Sequence, residues 1–101
     1  MKYLLHGRLI AKENKTGELA GILLEASKLI AAAKGCHLYV VGKEANDSNA
    51  VWITEIWDSK EDHDKSLNVE GVRELIMKAM PILEGAPQKG QEIELLGGYG
   101  V

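Results

Sequence analysis

The feature that most limits what this chain can become is a set of strand-like stretches with no wholly polar face. Over residues 2–11, the odd positions Tyr3, Leu5, Gly7, Leu9 and Ala11 are apolar throughout. The even positions Lys2, Leu4, His6, Arg8 and Ile10 mix apolar and polar groups. Residues 36–41 and 51–57 behave alike: Cys36, Leu38 and Val40 alternate with His37, Tyr39 and Val41, and Val51, Ile53, Glu55 and Trp57 alternate with Trp52, Thr54 and Ile56. A period of two marks a strand, and a strand without a polar face must be covered on both sides. Residues 92–96 form a shorter fourth stretch of the same kind.

Two stretches with helical spacing separate these strands. After a polar connection at residues 12–17, Leu19, Ile22, Leu23, Ala26, Leu29, Ile30 and Ala33 repeat at the helical period. Thr16 is placed to cap this helix, Glu18 puts an acid in its first turn, and Lys34-Gly35 closes it. The second helix starts at Ser59, where Asp62 three residues on resembles a capping box. It is polar to about residue 67, is broken or kinked at Asn68 and Gly71, and then carries an apolar stripe of Val72, Leu75, Ile76, Ala79, Met80 and Leu83, with Pro81 weakening its last turn. Turn-rich residues at 42–49, a loop at 85–90 and a glycine-rich tail at 96–101 complete the chain.

The order βαββαβ predicts one α+β domain over residues 1–101: a four-stranded antiparallel sheet with both helices on one face. The helices leave the other face open. An apolar sheet face of that size calls for a partner, and a second copy related by two-fold symmetry would cover it, so a homodimer is expected. The net charge of −3 and the lack of a basic cluster argue against nucleic acid and anionic membranes. No stretch approaches the ~20 apolar residues that span a bilayer. Cys36 is the single cysteine, which excludes an internal disulfide and, with no signal-peptide pattern at the start, points to the cytoplasm.

Three stretches carry a family resemblance: Gly35-Cys36-His37-Leu38-Tyr39, the strand-to-helix run from Thr54 through Trp57 and Asp58 to Glu61, and the spacing of the first strand, its polar turn and the first helix. Together they resemble the antibiotic biosynthesis monooxygenase family, dimeric α/β barrels of ferredoxin-like type. The resemblance implies an oxygenase needing neither flavin nor metal, so no cofactor is expected. It implies a small aromatic or quinol-like substrate that, once deprotonated, gives its own electrons to dioxygen. Such chemistry needs an apolar pocket, a base and aromatic walls. Many members carry a histidine at the position matching Ser66. Haem-degrading members carry asparagine, tryptophan and an axial histidine at the positions matching Gly7, Ser66 and Ile76, so the resemblance does not extend to haem degradation.

The candidate site residues follow from both readings. His63 lies one turn before Ser66 and could supply the missing imidazole; otherwise it is a solvent-exposed histidine among Glu61, Asp62 and Asp64. Glu55 is an acid inside an apolar strand: a structural ion pair with Arg8 or Lys2, or a catalytic base. Trp57 at the strand end could stack on a planar substrate or be plain core, and Tyr39 and Tyr3 could donate into the cavity. His6 could bond a ligand or sit in the interface. The three histidines share no metal-ligand spacing. Against the oxygenase stand a non-oxygenase isomerase or metabolite-processing enzyme of the same fold, and a non-catalytic ligand-binding dimer module.

Overall fold

The computed structural model describes residues 1–46, 49–85 and 89–101, so the expected turn at 42–49 and loop at 85–90 fall partly outside the described residues. Strands β1 (Lys2–Ile10), β2 (Cys36–Lys43), β3 (Ala50–Trp57) and β4 (Gln91–Leu95) form one sheet in the order β2-β3-β1-β4, with every neighbouring pair antiparallel. Helix α1 (Thr16–Ile30) joins β1 to β2. Helices α2 (Lys60–Ser66) and α3 (Val72–Ala79), followed by a 3-10 turn at Met80–Ile82, join β3 to β4. This is the four-stranded ferredoxin-like α+β arrangement expected from the element order.

The β1–β3 register sets the faces. Tyr3 stands opposite Trp57 and Leu9 opposite Val51, so the apolar odd positions of both strands share one side. That side takes the helices. Leu19 and Leu23 of α1 meet Val51 and Ala11 in one cluster, and Ala26 and Ile30 meet Trp57, Val72 and Leu75 in a second. Leu19 and Trp57 are wholly buried. Each large side chain buried in this way contributes on the order of 1.5–3 kcal/mol by leaving water.

Several local details differ from the sequence-based expectation. The second helix is two helices, because residues 67–71 leave the helical path and Gly71 adopts φ 90° before α3. A Cβ at Gly71 would lie 3.0 Å from the Leu29 side chain, so only glycine lets this turn sit against α1. Thr16 does not cap α1; it is the first helical residue, and its hydroxyl bonds the Asn49 side chain at 3.4 Å. Ser59 does cap α2, accepting from the Asp62 amide at 3.1 Å. A bulge between Cys36 and Leu38 in β2 turns Cys36 to the helix side with Tyr39, not to the side of Leu38 and Val40.

On the open face His6 stacks on Trp52 at 4.6 Å and shares a 2.9 Å hydrogen bond with Thr54. Arg8 lies over the same indole and pairs with Glu44 at 2.9 Å. Val40 and Ile93 on this face are 48% and 42% exposed. Among the described residues, no helix is long and apolar enough to cross a membrane.

Candidate active site

The sheet and its helices do not close completely. Ala26 on α1 and Ala79 on α3 are small where their neighbours on the same stripes are leucines, and a cavity of about 220 Å³ remains over the centre of the sheet. Leu9 and Ile53 floor it, and Leu23 and Leu75 wall it. At one end Leu67, Ile76 and Met80 line it while remaining 42%, 42% and 50% exposed, and they form its apolar mouth. A dry cavity of ~150 Å³ accepts benzene, and drug-sized ligands need ~300 Å³ or more, so this space suits one or two rings.

Among the described residues, four polar side chains interrupt the aliphatic lining: Tyr39, Glu55, His63 and Ser66. Glu55 sits mid-strand on β3, 8% exposed, and the Trp57 indole donates to its Oε1 at 3.0 Å. The i, i+2 spacing of a strand puts both on one face, which makes the bond local. His63 is presented from α2, its Nε2 3.8 Å from the same carboxylate oxygen. Burial pushes the Glu55 carboxyl above its usual range, while the indole N–H and the imidazole draw it part of the way back. Once ionised, such a carboxylate is a stronger base than an exposed one.

The other ring nitrogen of His63, Nδ1, lies 2.9 Å from Asp64 Oδ1. That hydrogen bond holds the Asp64 carboxyl below its usual range, and an ionised carboxyl there can only accept. The ring is flanked by Tyr3 at 5.8 Å and, edge to face, by Trp57 at 5.9 Å. The Ser66 hydroxyl is turned back onto the His63 carbonyl. Burial, with the Glu55 charge adding to it, raises the Tyr39 phenol, which has no hydrogen-bond partner among the described residues.

Of the residues singled out from the sequence, Glu55, His63, Tyr39 and Ser66 come together at the cavity. Trp57 reaches it only through Glu55; it is core, with no exposed surface. His6 lies on the opposite face of the sheet, outside the cavity. Glu55 pairs with neither Arg8 nor Lys2, the partners of the ion-pair reading, because both are even positions of β1 and face away. Tyr3 donates to Glu92 at 3.0 Å rather than into the cavity. Sequence reasoning gave Asp64 no role, since a charged residue on a polar helix start carries no distinguishing signal. Among the described residues, no three His, Cys, Asp or Glu side chains are grouped to hold a metal ion.

Comparison with known proteins agrees with the fold. The family model for antibiotic biosynthesis monooxygenase matches residues 3–77. A solved structure from Chloroflexus aurantiacus J-10-fl, named for the antibiotic biosynthesis monooxygenases, is 34% identical, with 99% of this chain and 98% of that one covered at a TM-score of 0.87. A similarly named protein from Deinococcus radiodurans is 22% identical over 98% and 97% of the two chains, TM-score 0.81. A variant of SnoaB, a cofactor-independent oxygenase from Streptomyces nogalater, shares the fold at 9% identity, with 99% and 98% covered and a TM-score of 0.81. No curated protein matches the chain. The chain belongs to the antibiotic biosynthesis monooxygenase family.

Proposed function

We propose that this protein is a cofactor-independent monooxygenase for a small phenolic or quinol-like aromatic of one or two rings. The observation that carries this reading is the Glu55–His63 pair set into an otherwise aliphatic cavity. Burial makes the Glu55 carboxylate a strong base beside an imidazole able to take the proton on. The substrate hydroxyl gives its proton to the pair. The resulting anion passes an electron to dioxygen, and the two radicals combine into a C–O bond. The peroxide anion takes the proton back from the pair, and the hydroperoxide so formed loses water, so that a CH₂ group and O₂ become C=O and H₂O. The Tyr39 hydroxyl, which borders the cavity, donates to the substrate oxygen, and the aliphatic walls exclude water from the reactive anion.

The 3.8 Å gap between His63 and Glu55 is longer than a hydrogen bond, as is common before substrate tightens a site. The test is oxygen uptake with a panel of quinols and anthrone-like compounds in metal-free buffer. Uptake matched one to one by oxygenated product is expected, with strong loss in Glu55→Gln and His63→Ala. No uptake across the panel overturns the proposal. Conversion of a panel member without oxygen uptake points instead to an isomerase of the same fold.

The assembly belongs to the same reading. The open face carries Trp52, Val40 and Ile93 beside the His6 stack, too much apolar surface for a free sheet face. A second copy laid on it would give a homodimer and close the barrel. The unpaired Cys36 suits work in the reducing cytoplasm.

A further inference from the structure

We infer that Asp64 is a positioning residue of this site: its carboxylate holds the His63 ring with Nδ1–H turned outward and Nε2 turned toward Glu55 and the cavity. The inference rests on the proposed reading for the proton that the pair must move, and on the geometry alone for the ring.

A buried base that takes a proton at every turnover must lose it again. Glu55 is 8% exposed and is set in an otherwise aliphatic lining. His63 borders the cavity with its side chain 16% exposed, and the Asp64 side chain is 55% exposed. The three groups form a short path: a proton accepted by Glu55 passes to Nε2, the imidazolium keeps its Nδ1–H on Asp64, and the Nε2 proton goes back to the peroxide anion formed on the substrate. Each group returns to its starting form. The path runs only if Nε2 begins unprotonated.

The surroundings leave that choice to Asp64. An ionised carboxylate can only accept, so its 2.9 Å contact puts the proton on Nδ1. The free side chain favours the opposite form, with the proton on Nε2. The other titratable groups around the ring do not set the tautomer. The Tyr3 hydroxyl of β1 is committed to Glu92 of β4. Lys60 lies 3.8 Å from the second oxygen of Asp64 and 3.7 Å from Glu92. Glu55 faces Nε2, and the Tyr39 hydroxyl has no hydrogen bond to the ring. The Ser66 hydroxyl is held by the His63 carbonyl. The arrangement follows the logic of the acid behind a catalytic histidine, which orients the ring and steadies its cation without itself taking the proton.

The experiment compares wild type, Asp64→Ala and Lys60→Ala. Long-range proton–nitrogen correlation of the 15N-labelled ring reads the His63 tautomer directly, with or without turnover. The Nδ1–H form is expected in wild type and in Lys60→Ala, and a shift to the Nε2–H form in Asp64→Ala. In the oxygen-uptake assay Asp64→Ala should lower kcat about tenfold with KM little changed, while Lys60→Ala changes neither. An Nε2–H ring in wild type, an unmoved tautomer in Asp64→Ala, or a moved tautomer with kcat intact each overturns the inference. Absence of oxygen uptake in wild type sinks the oxygenase reading alone, and the nitrogen spectra still decide the role of Asp64.

Discussion

Replacing Trp57 by phenylalanine tests how far the buried carboxylate depends on its indole partner. Trp57 has no exposed surface, and its Nε1–H bonds Glu55 Oε1 at 3.0 Å. A hydrogen bond to a charged group contributes about 1.5–3 kcal/mol, and the space left by the smaller ring costs roughly another 1 kcal/mol. The expected loss is therefore about 3 kcal/mol, which in a domain of this size lowers Tm by about 12–24 °C. The loss should also depend on pH. The folded-state pKa of Glu55 lies above its ordinary 4.5, so the folded protein holds this proton more tightly than the unfolded chain. The linked stability is present below 4.5 and is lost as pH rises through the folded value. The indole favours the carboxylate, so Trp57→Phe raises that value further and carries the loss to higher pH. Urea unfolding of both proteins at pH 4 and pH 8 should show a larger difference at pH 8, by about 1 kcal/mol, since a neutral hydrogen bond contributes less than a charged one. Repeating the substitution in a Glu55→Gln background should remove the pH dependence. An equal difference at both pH values, or a loss below about 1 kcal/mol at pH 8, would refute the assignment of an ionised, indole-bound Glu55.

Two further outcomes follow from the fold. Gly35 adopts φ 83°, and a Cβ there would fall on the Asp62 side chain, so Gly35→Ala should lose about 1–2 kcal/mol or more, seen as a lower urea midpoint at unchanged slope. Purified protein should elute near twice its 11.0 kDa chain mass, and Trp52→Glu on the open face should shift it to the monomer without unfolding it; a wild type that elutes as monomer at micromolar concentration removes the homodimer.

The strand-and-helix order was readable in the chain because period-two and period-3.6 patterns are local. The cap at Ser59 was readable for the same reason, since it needs only its near neighbours, whereas α1 stops at Ile30, short of the close expected at Lys34-Gly35. The break at Asn68 and Gly71 showed as composition, but its result, two helices in place of one with Gly71 at φ 90° between them, showed only in the structure. Half of the site was visible as residue types, with Glu55 conspicuous as an acid inside an apolar strand and His63 as an imidazole one turn from the expected position.

What the sequence by itself determined is therefore the set of faces: which positions must be buried, that the sheet has two such sides, and that helices can cover only one. Only the tertiary structure decided which polar groups meet. Strand register put Arg8 and His6 on the far side from Glu55, the fold of α2 across β3 brought His63 to 3.8 Å from that carboxylate, and Ala26 and Ala79 left room beside them. The physical reason is one of range. Periodicity fixes the direction of a side chain from neighbours a few residues away, whereas a site joins residues whose separation depends on how whole elements pack.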